Sequence, residues 1–140
     1  MIDMHSHIIP MVDDGSRSIS ITEKMFKEAS SQGFTGIFAK THYIDRKSVK
    51  REEMISHFSN LVKMAKFYGI ELFLGNEVFI CPEIATLVQD GVISKMNDSR
   101  YLLMELPRNN DVNYLDDVNS QAIFFELINK TFEKASQLGK

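Results

Sequence analysis

The sequence predicts an α/β protein built on a parallel sheet of roughly four βα units. Short apolar runs alternate with longer amphipathic ones, which is typical of strands followed by helices that cross back over a sheet. Histidine and carboxylate residues recur where the apolar runs end, as they do where parallel strands carry a functional site. The 140 residues suffice for one domain with one core.

The first half of the chain is predicted to contain two strands and one helix. Ser20-Ile21-Thr22-Glu23 matches a capping box, which marks a helix start, and Gly33 supplies the stop. Asp13-Asp14-Gly15 is a turn signal in the polar segment before this helix. In order, we expect a strand over residues 1–4, a helix over about 20–33 and a strand over 34–39.

The second half is predicted to contain two strands and three helices. An apolar stripe at helical spacing runs through residues 48–68 and stops at Gly69, so this segment should form the longest helix. The run Tyr101–Leu106 is almost continuously apolar, which fits a buried parallel strand, and Pro107 ends it. The other expected elements are a strand over 70–74, a short helix over 82–90, a polar loop over 108–120 and a helix over 121–137.

Composition argues against several classes of function. A net charge of -3 gives no general attraction for nucleic acid, and no apolar stretch approaches the length of a membrane span. The opening residues lack the basic and apolar pattern of a signal peptide, so we expect a cytoplasmic protein. Cys81 is the only cysteine, and neither glycine nor arginine follows it closely. A packing role is therefore favoured over that of a phosphatase nucleophile.

Four polar clusters fall at predicted strand ends. His5 and His7 follow the first strand, His42 follows the second, Glu77 follows the third and Glu105 lies in the fourth. Because the carboxyl ends of parallel strands meet at one edge, we expect these side chains to converge. Imidazole and carboxylate ligands without thiolates suit zinc, manganese or iron. His5 and His7 are two residues apart on an extended segment, so they should point to the same side.

Each of these residues also has an ordinary structural explanation. Asp13 and Asp14 alone would be interpreted as a turn. Glu77 and Glu105 could be surface charges at strand ends, although Glu105 has apolar neighbours, among which a carboxylate is costly unless paired or metal-bound. His57 lies at the edge of an amphipathic helix, and we interpret it as structural or solvent-exposed.

Five segments within residues 1–107 match a known family in order and spacing: Met1–Ile8, Val12–Gly15, Thr41-His42, Gly75–Val78 and Asn97–Glu105. Together they resemble the PHP (polymerase and histidinol phosphatase) superfamily, and within it the bacterial tyrosine-phosphatase branch linked to capsule and exopolysaccharide synthesis. The resemblance implies a distorted TIM-like β/α barrel, of which this chain would form a part. It also implies metal roles for His5, His7, Asp14, His42, Glu77 and Glu105, with Glu77 bridging two ions.

The same resemblance implies a reaction. A complete family site holds two or three divalent ions, usually manganese, with zinc or iron as alternatives. A metal-bound hydroxide attacks the phosphotyrosine phosphorus without a covalent enzyme intermediate. The usual partner is the phosphorylated tyrosine kinase that drives polysaccharide assembly.

The chain departs from the family pattern after Pro107. Members continue with further histidines and arginines that complete the metal cluster and bind phosphate. Here no histidine follows His57 and no arginine follows Arg108, as if the barrel were truncated or internally deleted. Residues 1–107 would then form the N-terminal part of the barrel, and the relation of residues 108–140 to the family stays open. A partial barrel would expose the edge strand beginning near Tyr101, which a homo-oligomer could cover.

Three functions stay open at this point. The six candidate ligands favour a metal-dependent protein-tyrosine phosphatase. The absent late histidines and arginines favour a non-catalytic remnant that binds or assembles with a partner. A PHP phosphatase acting on a small phosphate ester, or on nucleic acid ends, is the third, and the Asn97–Glu105 segment argues for the tyrosine-phosphatase branch instead. We expect weak catalysis, or none, from the 140-residue chain alone.

Overall fold

Four parallel strands form one curled sheet in the order in which they occur along the chain. The computed structural model describes residues 1–44, 48–81 and 83–105. The sheet has the form of a half-barrel, so the predicted α/β class is confirmed. The elements are β1 (Ile2–Ser6), α1 (Ile19–Ser31), β2 (Gly36–Tyr43), α2 (Arg51–Phe67), β3 (Glu71–Phe79), α3 (Ile84–Gln89) and β4 (Leu103–Glu105), with a 3-10 turn at Met96–Asp98.

Some predicted features lie outside this description. The polar loop over 108–120 and the helix over 121–137 fall on residues that the structure does not describe, as does Pro82. None of the helices in the described ranges combines the length and the apolar character that a membrane crossing needs.

The start of α1 differs from the predicted one. Ser18 is the N-cap, and its hydroxyl accepts a hydrogen bond from the backbone amide of Ile21 at 3.3 Å. Ser20, the expected cap, already lies in the helix, with its hydroxyl 2.9 Å from that of Ser18. Two serines spaced by two residues both satisfy the sequence pattern of a cap, and only the backbone angles distinguish them.

Apolar side chains pack on the outer face of the sheet, where the helices lie. Phe26 of α1 and Met54 of α2 are fully buried in the larger cluster, against Ile37 and Ala39 of β2. The apolar stripe predicted along α2 was expected to include Met54, Leu61, Val62 and Ala65. Met54, Leu61 and Ala65 are buried as expected, whereas Val62 is 41% exposed. A smaller cluster joins the C-terminal end of the sheet to α3 and contains Tyr43, Val78, Ile80, Ile84 and Ile93.

The first three strands run further than predicted, which changes where the polar clusters lie, whereas β4 begins at Leu103 and not at Tyr101. β2 extends to Tyr43 and β3 to Phe79, so His42 and Glu77 lie within strands instead of following them. They are register partners, and their side chains share the inner face of the half-barrel. The predicted ends of β2 and β3 are too early because the strands were identified from their apolar residues alone.

A bulge in β1 brings its histidines to the same inner face. Asp3 pairs with Ile37 and Ser6 pairs with Ala39, so β1 advances three residues while β2 advances two. The extra residue reverses the alternation of side chains along β1. His5 and His7 therefore point inward, whereas Asp3 pairs with Ile37, whose side chain lies on the outer face. Without the bulge, Asp3, His5 and His7 would all lie on one face of the strand.

Candidate metal centre

Two histidines of the β1 end meet the glutamate of β3. The Nε2 atoms of His5 and His7 lie 2.7 Å and 3.0 Å from Glu77 Oε2 and 3.1 Å from each other. Glu77 is buried and only 7% exposed. Three donor atoms that converge in this way match the facial arrangement by which one divalent cation is held.

The remaining candidate ligands lie directly beside this group. His7 Nδ1 is 2.8 Å from Asp14 Oδ1, and His42 Nε2 is 3.4 Å from Asp14 Oδ2. On the other side, His42 Nδ1 lies 3.2 Å from Glu105 Oε2 and 3.7 Å from Glu77 Oε2. The structure thus brings together all six residues that the sequence singled out.

The nitrogen and oxygen atoms of this cluster are better placed to bind a cation than to form hydrogen bonds with one another. Among the residues of the structural description, the buried Nδ1 atoms of His7 and His42 find no hydrogen bond of acceptable geometry, although each has a carboxylate oxygen within 3.2 Å. The six side chains form three overlapping groups of donor atoms. Nitrogen lone pairs and carboxylate oxygens directed at common points are the ligands that manganese, iron and zinc take. The residues present therefore fit divalent metal ions.

The loop between β1 and α1 delivers Asp14 through a tight backbone turn. Asp13 has a φ of 42°, in the left-handed region that the Asx side chain tolerates. A Cβ on Gly15 would lie 2.2 Å from the carbonyl oxygen of Ile9 and 2.7 Å from that of Val12, so only glycine fits. The predicted turn is confirmed, and it holds Asp14 against His7.

Asp13 has a positioning role that the sequence did not reveal. Its Oδ2 accepts a hydrogen bond from the backbone amide of His42 at 2.7 Å, which ties the loop to β2. Its other oxygen lies 3.8 Å from His7 Nδ1. Asp13, followed by Asp14 and Glu77, raises the pKa of His7 above its usual value, against the opposing effect of burial. Although burial acts to raise the pKa of Asp14, the positive charge of His7 brings it below its usual range.

Lys40 is a second residue that sequence reasoning missed. It lies on the inner face of β2, two residues before His42, and is completely buried. Its ammonium lies 5.1 Å from the centroid of the Phe38 ring. Burial lowers the pKa of Lys40 to about 8, although Glu77 acts in the opposite direction. The pattern gave no signal for this burial, because a lysine at a strand end is usually solvated.

Asn76 fixes the strand beside the site. Its amide donates to Thr41 Oγ1 at 2.9 Å, and its Oδ1 accepts from the backbone amide of Ser94 at 2.7 Å. These bonds join β2, β3 and the segment that leads to β4. The asparagine therefore orients Glu77, its neighbour in β3, from the opposite face of the sheet.

Two residues set aside on sequence grounds lie away from the cluster. His57 is on α2, where its nearest acidic partner is Glu53 at 3.9 Å, in agreement with a structural or solvent-exposed role. Cys81 lines a cavity of about 710 Å³ between the start of α2 and α3 that includes none of the six candidate ligands. Burial raises the pKa of its thiol, which opposes the thiolate form that a nucleophile requires.

Comparison with known proteins connects this geometry to a family. The family model described as "Capsular polysaccharide synthesis, CpsB/CapC" matches residues 1–127. The chain belongs to the CpsB/CapC family. It is 32% identical over 130 residues to CapC of Staphylococcus aureus and 26% identical over 132 residues to the tyrosine-protein phosphatase YwqE of Bacillus subtilis. It is also 31% identical over 110 residues to the tyrosine-protein phosphatase CpsB of Streptococcus pneumoniae.

A solved structure supports the same placement. The structures of YwqE from B. subtilis and CpsB from S. pneumoniae are described as unique metal-dependent tyrosine phosphatases. This CpsB/CapC chain matches one of them with a TM-score of 0.65 and 26% identity over 93% of its own length. It spans about half the length of the relatives it matches: 49% of CapC, 44% of CpsB and 52% of the solved chain. The domain boundary expected near residue 107 stays a prediction.

Proposed function

We propose that the chain is the metal-binding N-terminal part of a metal-dependent protein-tyrosine phosphatase. The observation that carries this proposal is the convergence of three overlapping donor groups on the inner face of a parallel half-barrel. Membership of a family whose relatives include named tyrosine-protein phosphatases supplies the reaction class, a phosphoric-ester hydrolase. The metal roles of His5, His7, Asp14, His42, Glu77 and Glu105 are part of this proposal.

The donor groups would suit two ions, and Glu77 would help to hold both of them. One group contains His5, His7 and Glu77, and another contains His42, Glu77 and Glu105. A carboxylate has two oxygens and bridges two ions readily, whereas a neutral imidazole has one free lone pair and serves one. The third group contains His7, Asp14 and His42. It therefore competes with the other two groups for the lone pairs of these two imidazoles, unless further ligands are added. We propose manganese as the ion, with zinc and iron as alternatives that the same ligands accept.

The protein side chains hold and orient this chemistry. Divalent ions at such a site supply Lewis-acid activation of water and of a phosphate ester. Asp13 holds the His42 backbone in place, and Asp14 places a carboxylate oxygen 2.8 Å from His7 Nδ1, where it would serve as a ligand of the third donor group. Cys81 takes no part, because its thiol is held in the neutral form and lies in a separate cavity.

We propose that the substrate is phosphotyrosine on a protein of polysaccharide synthesis, and specifically on its tyrosine kinase. The family description and the names of the relatives support the phosphotyrosine and the pathway. For the 140-residue chain alone we propose weak catalysis, because the sequence has no histidine after His57 and no arginine after Arg108. Phosphate oxygens would then lack the cationic side chains that commonly stabilise them. The predicted cytoplasmic location stays a prediction.

The second candidate is a binding or assembly domain without catalysis. It is favoured by the limited coverage of the relatives. The chain matches about half of each relative, so the other half has no counterpart in this chain. Such a domain would still bind metal through the six residues, and metal binding would stabilise its fold. A phosphatase of small phosphate esters is the third alternative.

Metal content and hydrolysis together distinguish these candidates. The purified chain is loaded with Mn²⁺, desalted and analysed for bound metal, then assayed on a phosphotyrosine peptide, a phosphoserine peptide and histidinol phosphate. We expect about two ions per chain. We also expect slow release of phosphate from the phosphotyrosine peptide and none from the other two substrates. Metal binding without any hydrolysis would favour the assembly domain, and preference for histidinol phosphate would favour the third candidate. A chain that retains no metal would contradict the proposed centre.

A further inference from the structure

Lys40 is a charged side chain in the interior of the half-barrel, and it has no hydrogen-bonding partner in the part of the chain that the structure describes. Its relative exposure is 0%, and its Nζ makes no hydrogen bond to any residue within 1–44, 48–81 and 83–105. A buried ammonium in this state is costly, so its position calls for an explanation beyond packing. Among the described residues, the acidic side chain whose charge acts on it is Glu77, which shares its face of the sheet.

The sheet is shaped to hold this ammonium beneath the candidate metal ligands. The register partner of Lys40 is Gly75, just as His42 is the partner of Glu77 two residues further along. A Cβ on Gly75 would lie 2.9 Å from Lys40 Nζ. The missing side chain of Gly75 therefore creates the space that the ammonium occupies. The ring of Phe38, on the same strand, lies near the ammonium and helps to fix its position. Along the inner face of β2, Lys40 thus comes directly before the position of the His42–Glu77 pair.

We propose that Lys40 is an internal counter-charge of the metal centre, which weakens its affinity for divalent cations. This inference rests on the proposed metal centre. The carboxylates of Asp14, Glu77 and Glu105 attract cations, and a fixed positive charge beneath Glu77 opposes that attraction. In the metal-free chain the same charge offsets the mutual repulsion of the carboxylates. Lys40 is thus a positioning residue that sets the charge balance of the site without being a ligand.

Two neutral variants test the charge separately from the packing. Lys40→Met keeps an unbranched apolar side chain that ends one atom earlier, and Lys40→Gln keeps a polar end without the charge. Lys63→Met is the control, because Lys63 is exposed on α2 and its loss changes the net charge equally. The dissociation constant for Mn²⁺ is measured by calorimetry on the whole metal-free chain at neutral pH. We expect both Lys40 variants to bind about tenfold more tightly than the wild type, and Lys63→Met to bind as the wild type does.

The direction of the change decides the outcome. A packing defect alone would loosen the ligands and weaken binding, so unchanged or weaker binding in both Lys40 variants overturns the proposal. Loss of helical circular dichroism in both variants also overturns it, because Lys40 would then be required by the whole fold and would not be a residue that only sets the charge balance of the site. If neither the wild type nor the variants bind Mn²⁺, the proposed metal centre itself fails. Binding by the neutral variants but not by the wild type would support the role of Lys40.

Discussion

Glu77 is the residue on which the proposed centre most depends. Its Oε2 lies within 3.0 Å of both His5 Nε2 and His7 Nε2, and the same oxygen is 3.7 Å from His42 Nδ1. Glu77→Gln keeps the shape but removes the charge and the ability to bridge ions. We predict at least about a hundredfold weaker Mn²⁺ binding, since even residues that merely support metal ligands cost ten- to hundredfold. Calorimetry measures it, and His57→Gln is the matched control, with unchanged affinity expected.

Five of the six candidate ligands were predictable from residue type and position, whereas Asp14 was implied only by the family resemblance and the neighbours of the six were not predicted at all. Histidines and carboxylates at strand ends are visible in a sequence, and parallel topology then brings them together. Asp13 and Lys40 also take part in the electrostatics of the site, since Asp13 raises the pKa of His7 and the charge of Glu77 acts on Lys40. The role of Lys40 depends on its burial, and that of Asp13 depends on a hydrogen bond from the backbone amide of His42. Neither feature can be recognised from the sequence.

The thiol of Cys81 offers a test of the non-nucleophilic interpretation. Burial raises its pKa above the usual value, so a smaller fraction is thiolate at mildly alkaline pH than in an unfolded chain. We predict that iodoacetamide labels the native protein more slowly than the urea-unfolded protein at pH 8, with the native rate rising only at higher pH. We also expect Cys81→Ser to keep the Mn²⁺ affinity of the wild type. Labelling of the native chain faster than the unfolded one would contradict this interpretation.

At the scale of elements, the alternation of side chains along β1 was the feature that the sequence could not provide. His5 and His7 were expected to share a side because they are two residues apart, and they do. Their placement on the same face as His42 and Glu77, however, depends on the bulge between Asp3 and Ser6. A bulge has no reliable pattern in a single sequence, because it is decided by pairing with the neighbouring strand.

The loop from β1 to α1 is predicted to tolerate no side chain at Gly15. A Cβ there would overlap the carbonyl oxygens of Ile9 and Val12, so the loop must open and carry Asp14 away from His7. We predict that Gly15→Ala lowers the free energy of unfolding by about 1–3 kcal/mol and weakens Mn²⁺ binding. Urea denaturation and calorimetry measure the two effects.

Gly33→Ala is the matched control for this loop. Gly33 has a φ of 83° and open space around its Cα, so alanine there causes backbone strain of about 1 kcal/mol without any effect at the site. Wild-type Mn²⁺ affinity is therefore expected in Gly33→Ala. If Gly15→Ala matched it in both measurements, the loop would not be the rigid support for Asp14 that its contacts indicate.

At the scale of the whole molecule, the four strands that the structure describes leave two sheet edges, one at β1 and one at β4. Among the described residues, β1 pairs only with β2 and β4 pairs only with β3. Tyr101, just before β4, is 59% exposed, and Met4 of β1 is 52% exposed. Unpaired backbone groups beside exposed apolar side chains favour pairing with another chain.

We predict that the chain self-associates through the edge of β4, as the sequence suggested for the strand near Tyr101. A lysine beside an edge strand opposes such pairing because it must stay solvated. Light scattering over a wide range of concentration should show a dimer, which Tyr101→Lys shifts towards monomer. Met4→Lys places the same charge on the other edge and should leave the dimer intact. If Met4→Lys alone dissociated the dimer, β1 would be the interface, and a wild-type monomer at every concentration would contradict self-association altogether.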